Sequence, residues 1–353
     1  MQFFTFAFFS WPKPGCVQRC GAALLVLLGI ALAANAQQLL PPANLQDGPI
    51  RFGILPLGGV FESRNDWEPL LVDLTRTISR PVSVLSVASY DALDQAIRRN
   101  QVDMAFLSGK MALEAVTERG MTVVAQVTRH DGLPGYRSLL LVRKGGRATT
   151  LEAVLAQPER LRLARGEPKS VSGFIVPQLQ LFLPNRIAMQ TRFASEFVGT
   201  HQATALAVAN GEADVATNNT ADFERFKLQF PSEAERLIIV WQSDLIPHAQ
   251  IVMRRDYSPD FQKKVQAFLA AYGRTPGPRG EPERTVLRSL HDLAGFLPAD
   301  NTSLLPAAKL AHQLARQNAM NAQWVSDEAR ATRLAKLDAE YAQQTAVLRN
   351  NQP

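Results

Sequence analysis

Beyond residue 36 this chain has no cysteine, no histidine pair at metal-ligand spacing, no Gly-x-Ser-x-Gly elbow and no concentrated run of one charge. Each absence removes a class of function. Both cysteines, Cys16 and Cys20, lie in the N-terminal segment, so the remainder carries no disulfide and no thiolate metal site. The five histidines, His130, His201, His248, His291 and His312, are scattered, and nothing resembles a His-x-x-x-His metal pair. No metal and no cofactor is therefore expected. A net charge of +6 over 353 residues is mild and dispersed, which does not favour a nucleic-acid partner. Ser170 or Ser172 with His201 and an aspartate could be drawn as a hydrolytic triad. Without the elbow, and with serines at a helix start explained by capping, a secreted hydrolase is only the minor alternative, and the chain is not expected to be an enzyme.

What is present begins with a secretion signal. Lys13 and Arg19 precede the apolar run Ala22 to Ala33, and Ala34-Asn35-Ala36 has the small-x-small form of a cleavage site. The run is too short to span a bilayer. Residues 1–36 read as a signal peptide cut before Gln37, which leaves 317 residues with a charge of +4 and places the protein in the periplasm or outside the cell. Gln37 to Pro49 reads as a mobile leader. The length and an apolar content of 46% suit about two domains.

From Arg51 the pattern alternates strand with helix, which predicts an α/β architecture with a mainly parallel sheet. Arg51 to Leu57, Val82 to Val87, Val102 to Leu107 and Val123 to Thr128 read as strands, separated by helical spacing over Trp67 to Ile78, after Tyr90, and over Met111 to Thr117. Ligands of such sheets sit beyond the carboxyl ends of the strands. That rule gathers Leu57 to Gly59, Ser89-Tyr90 and Ser108 to Lys110 on one face. After the β-rich Ser138 to Val142, the segment Arg143 to Gly146 is expected to cross into a second lobe. Leu237 to Trp241 and then Ile251 to Met253 bring the chain back, leaving a cleft between lobes. From Ser303 the chain is helical and glycine-poor, with Leu334, Leu337, Tyr341 and Leu348 at heptad-like spacing. That last helix either lies on its own body or forms a homodimer with a second copy.

The stretch Gly166-Glu167-Pro168-Lys169-Ser170-Val171-Ser172-Gly173 follows a strand-like run and opens the apolar segment Phe174 to Leu183. Ser170 is a good N-cap, and free N–H groups at Val171, Ser172 and Gly173 would attract an anion. A similar unit follows about thirty residues on. There Phe193 to Val198 reads as a strand, Thr200 as the N-cap, and His201 lies in the first turn of Ala203 to Asn210. Two helix starts on one sheet edge make a composite anion pocket.

Taken together, Arg51 to Ile54, Val102 to Phe106, Gly135 to Ser138, Gly166 to Phe174, Thr200-His201, Leu206 to Asn219 and Leu245 to Pro247 resemble the periplasmic phosphonate/phosphate/phosphite-binding proteins of ABC transporters. The resemblance spans roughly Arg51 to Pro298. It implies a type II periplasmic binding fold that closes like a hinge. The expected division is lobe 1 over 49–142 and 248–298, lobe 2 over 143–247, and a C-terminal helical segment over 299–353. It also implies that Ser170, Val171, Ser172, Thr200 and His201 hold phosphoryl oxygens, while Tyr90 and Lys110 close from the first lobe. Where aminoethylphosphonate binders place acidic residues, this chain has Ala221 and Ala249, with Asp222 and His248 as neighbours. Leu107 stands where they have a second cleft tyrosine. An ammonium without a carboxylate partner is costly to bury. A smaller or apolar-tailed phosphonate, phosphite or phosphate is therefore expected, handed to a permease and its ATPase. A stand-alone receptor reporting to a membrane sensor is the alternative use of the same fold.

Overall fold

The computed structural model describes residues 48–57, 60–290 and 293–350. The signal segment, its cleavage site, most of the leader, Gly58-Gly59 and His291 lie outside the described residues. Eleven strands fall into two sheets among those described. The first contains β1 (Ile50–Ile54), β2 (Val82–Ser86), β3 (Met104–Leu107), β4 (Met121–Arg129), β10 (Gln250–Arg254) and β11 (Leu293–Pro298), in the order β11-β4-β10-β3-β1-β2. The second contains β5 (Gly135–Arg143), β6 (Arg162–Arg165), β7 (Ser195–Val198), β8 (Val215–Asn219) and β9 (Leu237–Pro247), in the order β7-β6-β8-β5-β9.

Both sheets are mixed rather than mainly parallel. β1 runs parallel to β2 and β3, and β6 parallel to β7 and β8, as strand–helix–strand units require. The returning strand β10 then inserts antiparallel between β3 and β4, and β5 lies antiparallel between β8 and β9. The first passage between the sheets consequently precedes Ser138 to Val142 instead of following it. β5 already belongs to the second sheet, and Arg143 to Gly146 is a turn within it. The hydrophobicity of that strand could not distinguish the two sheets, because it is buried in either.

The first-sheet helices are α1 (Val60–Ile78), α2 (Tyr90–Arg98) and α3 (Gly109–Glu118). The second sheet carries α4 (Leu151–Ala156), α5 (Met189–Arg192), α6 (His201–Ala209), α7 (Thr220–Gln229) and α8 (Pro231–Ala234). After β10 come α9 (Pro259–Ala271) and α10 (Glu281–Ser289), then α11 (Leu305–Asn321) and α12 (Asp327–Asn350). One apolar core underlies the first sheet, with Phe52, Trp67 and Phe106 ring to ring. Two smaller ones cover the faces of the second. Leu348 of α12 is fully buried and joins the first-sheet core, with Tyr341 packed beside it. His312 of α11 stacks on Tyr341, and Asp338 accepts from His312 and Arg316. The heptad-like stripe thus packs on its own body. Among the described residues no helix is long and apolar enough to cross a membrane.

The same ionic device recurs in both sheets. Asp103, just before β3 and 1% exposed, accepts the backbone N–H and the guanidinium of Arg51 on β1 at 2.8 Å. Asp214, just before β8, accepts the same groups of Arg162 at 2.9–3.0 Å. Each pins the third strand of a strand–helix–strand–helix–strand series to the register of the first, its neighbour in the sheet. Asp103→Ala strands a guanidinium and a backbone donor, and is expected to cost about 2–3 kcal/mol. Urea unfolding should show a lower midpoint with an unchanged slope.

Candidate functional site

The Ser170 turn is shaped by a proline. In an α-helix the N–H of residue 177 would bond to the carbonyl of Gly173, and Pro177 has none. The helix widens instead into π-type turns over Val171–Ile175 and Gln178–Phe182, where Val176 N–H reaches the Val171 carbonyl and Leu183 N–H that of Gln178. The freed Gly173 carbonyl accepts from the Thr217 hydroxyl at 2.7 Å and from Gly166 N–H at 3.2 Å. The Ser172 carbonyl accepts from the Ser138 hydroxyl at 2.6 Å. Ser170 caps the turn, but it does so by accepting Gly173 N–H at 3.0 Å. That amide is therefore not free, contrary to the expectation from sequence. The amides of Val171 and Ser172 remain without an acceptor among the described residues.

Gly166 and Gly173 touch. A Cβ on either would lie 2.8–2.9 Å from the Cα of the other, closer than packed atoms tolerate, so the two ends of the turn meet only because both are glycine.

Thr200 caps α6 by accepting Ala203 N–H at 3.2 Å, which places His201 at the first helical position with its ring buried. His201 Nε2 lies 3.1 Å from the Ser172 hydroxyl and 3.9 Å from Asp222. Burial pushes its pKa below the ordinary 6.5, against the opposing pull of Asp222 and the Thr217 carbonyl, so the imidazole is neutral near pH 7. Asn219 caps α7 and donates to Ser172 Oγ at 3.3 Å and to Asp222 at 2.6 Å. Tyr90 and Tyr136 are both held far above the usual phenol range, chiefly by burial, with bonds to Ser170 and Ser172 working the other way. Both remain neutral O–H groups.

These residues surround a cavity of ≈ 70 Å³ between the sheets. Ser170, Val171, Ser172, His201, Asn219 and Asp222 form its second-sheet wall, together with Ala221. Tyr90, Ser108 and the apolar Leu55, Leu57, Phe106 and Val127 face them from the first sheet, with Arg129, His248, Ala249 and Leu293 alongside. Among the described residues no cluster of three or more metal-ligating side chains is present.

The structure thus brings together Ser170, Val171, Ser172, His201, Tyr90, Ala221 and Ala249. Three expectations are corrected. Thr200 stands behind His201 as its cap and is not on the cavity wall. Leu107 is fully buried in the core rather than lining the tail region, and the second tyrosine comes from Tyr136 on β5. Lys110 does not reach the cavity either, because α3 turns its ammonium onto Glu114, one helical turn on, at 3.1 Å.

Lys169 is a cation that spans the sheets. Its ammonium meets Asp94 of α2 at 2.8 Å and Glu114 of α3 at 3.0 Å. Burial lowers its pKa, but the bonds to both carboxylates outweigh that and hold it above the ordinary range. Beside it Glu167 accepts Tyr90 N–H at 2.9 Å, and Arg225 of α7 pairs with Asp66 of α1 at 2.6 Å. A lysine directly before an N-cap faces the positive end of its own helix. That misplacement was the available sequence signal for a distant acidic partner.

Comparison with known proteins gives the architecture its family. Residues 52–304 match the model of the periplasmic substrate-binding protein of phosphonate ABC transporters. The phosphonates-binding periplasmic protein of Escherichia coli is 33% identical over 296 residues, 82% of this chain and 84% of that protein. The crystal structure of a binding-protein component of an ABC phosphonate transporter from Pseudomonas aeruginosa superposes with a TM-score of 0.79 at 31% identity, covering 86% of this chain and 99% of that one. PhnD1 of Prochlorococcus marinus, solved with methylphosphonate, shares the fold at a TM-score of 0.64 and 17% identity, covering 75% and 98% of the two chains. The two sheets with a cavity between them are a type II periplasmic binding fold, and the chain belongs to the periplasmic substrate-binding proteins of phosphonate ABC transporters.

Proposed function

We propose that the cavity binds a one- or two-carbon phosphonate, or the related phosphite or phosphate, and that closed protein delivers it to a cognate permease and ATPase after secretion by the N-terminal signal. The observation that carries this reading is the pairing of two capped helix starts, whose unengaged amides and Ser172–His201 donor pair face an apolar wall. The phosphoryl oxygens fall to Val171 N–H, the Ser170 and Ser172 hydroxyls and the start of α6, with Tyr90 and Tyr136 as further neutral donors. Ala221 and Ala249 border the tail. The cavity of ≈ 70 Å³ compares with roughly 10–15 Å³ for one water. The space suits about five to seven non-hydrogen atoms, which is a phosphoryl group with a very short tail.

Ligand at about 100 times its dissociation constant should stabilise the native state by roughly 2.7 kcal/mol. Methylphosphonate, ethylphosphonate or phosphite is expected to raise the unfolding midpoint of the mature protein, with less effect from aminoethylphosphonate and none from sulfate, and Ser172→Ala should abolish the shift. Indifference to every phosphorus compound would remove the proposal.

Binding should also take up a proton. A dianion beside His201 raises a pKa that burial has lowered, so calorimetry near pH 6.5 in buffers of different ionisation enthalpy should reveal uptake that His201→Asn removes. Without ligand the sign reverses for stability. The unfolded chain binds more protons than the native one below about pH 6.5, so the unfolding midpoint falls as pH drops through that value toward the lower native pKa.

The Lys169 bridge ties the phosphoryl turn to the first sheet. Two part-buried ion pairs worth roughly 0.5–1 kcal/mol each predict that Lys169→Met weakens binding about fivefold to thirtyfold. Titration at 20 and 500 mM salt should show a flatter salt dependence than wild type, whereas equal slopes would dissociate the bridge from closure.

A further inference from the structure

Ser108 is a cap that does not cap. It precedes α3 with the extended backbone of an N-cap residue, φ −69° and ψ 159°, yet its hydroxyl accepts no N–H from that helix. Ser89, Thr150, Thr200 and Asn219, in the same position on their helices, all do. The residue is 6% exposed, and its hydroxyl oxygen is fully buried with no hydrogen-bond partner among the described residues. It is part of the cavity wall, on the first sheet, facing the Ser170 turn across the space a ligand fills. Buried hydroxyls are ordinarily paired, and a short serine at a helix start has a partner within reach in its own first turn. Here that partner is forgone, and α3 presents a third helix start to the cavity with its capping hydroxyl uncommitted.

We propose that Ser108 is a ligand-selecting residue: its hydroxyl pairs with an oxygen on the fourth substituent of phosphorus, the one directed away from the Ser170 turn. This rests on the phosphorus oxyanion reading above and narrows it. The substrate class becomes phosphorus oxyanions whose fourth substituent carries oxygen, either directly, as in phosphate, or on the first carbon, as in hydroxymethylphosphonate. Methylphosphonate and phosphite fill the same space but leave Ser108 unpaired. A site built to pair with a hydroxyl discriminates strongly against the analogue that lacks it, because the buried group is then stranded.

The test is calorimetric affinity of wild type and Ser108→Ala for phosphate, hydroxymethylphosphonate, methylphosphonate and phosphite. Wild type is expected to prefer an oxygen-bearing ligand over methylphosphonate by about tenfold or more. Ser108→Ala should erase that preference while methylphosphonate changes by less than about twofold. Loss confined to phosphate puts the oxygen on phosphorus, and loss confined to hydroxymethylphosphonate puts it on carbon. The variant breaks no cap bond, so its ligand-free unfolding midpoint should match wild type. Equal changes for all four ligands, or none for any, would overturn the role of Ser108 while leaving the phosphoryl assignments standing, provided Ser172→Ala still weakens methylphosphonate. Failure of wild type to bind any of the four would overturn both.

Discussion

An anion site must present donors and conceal acceptors, and the Ser170 turn meets that constraint from behind. In this turn the Ser172 and Gly173 carbonyls are drawn back by hydroxyls on two different strands, Ser138 of β5 and Thr217 of β8. Pro177 makes the second of these bonds available by declining the α-helical one. The π-type turns are a consequence of that exchange, and the strands of the second sheet are in effect the anchor of the Ser170 turn.

The same turn also reaches forward to the other sheet. Glu167 and Lys169 flank Pro168 and contact α2 and α3, so the segment that carries the unengaged amides is also one that fastens the two sheets. On the proposed function, binding and closure would be coupled through one short stretch of chain rather than through a relay. The pairs of Arg51 with Asp103 and of Arg162 with Asp214 give each sheet the rigidity that such coupling requires, since a fastening between soft bodies transmits little.

Much of this was legible in the sequence, for identifiable reasons. Strand and helix patterning located most elements. Cap residues located both helix starts, because a serine or threonine before a small-residue segment has few other uses. The order of strands was less accessible. Nothing in the hydrophobicity of Ser138 to Val142 says which sheet will bury it, and the antiparallel insertion of β10 depends on where the chain returns. The side chains that depend on three-dimensional juxtaposition were misjudged. Proximity to Ser108-Gly109 points Lys110 toward the cleft, yet an acidic residue four positions on captures it. Leu107, the last residue of β3, and Ser108, which precedes α3, are adjacent, yet one is buried in the core and the other lines the cavity, a difference that a two-residue window cannot orient.

The contact between Gly166 and Gly173 has a consequence for how such a protein can diversify. The six residues between them are enclosed by a junction that no side chain can enter, so the loop has a fixed mouth and a variable content. Val171 illustrates this freedom, contributing its amide whatever its side chain. Exchanges at positions such as Val171, which neither cap the turn nor fasten it to the first sheet, leave its placement unchanged. Exchange at either glycine moves the whole turn. The segment is in this sense a module, and a recognition loop transplanted between relatives would have to carry both glycines with it.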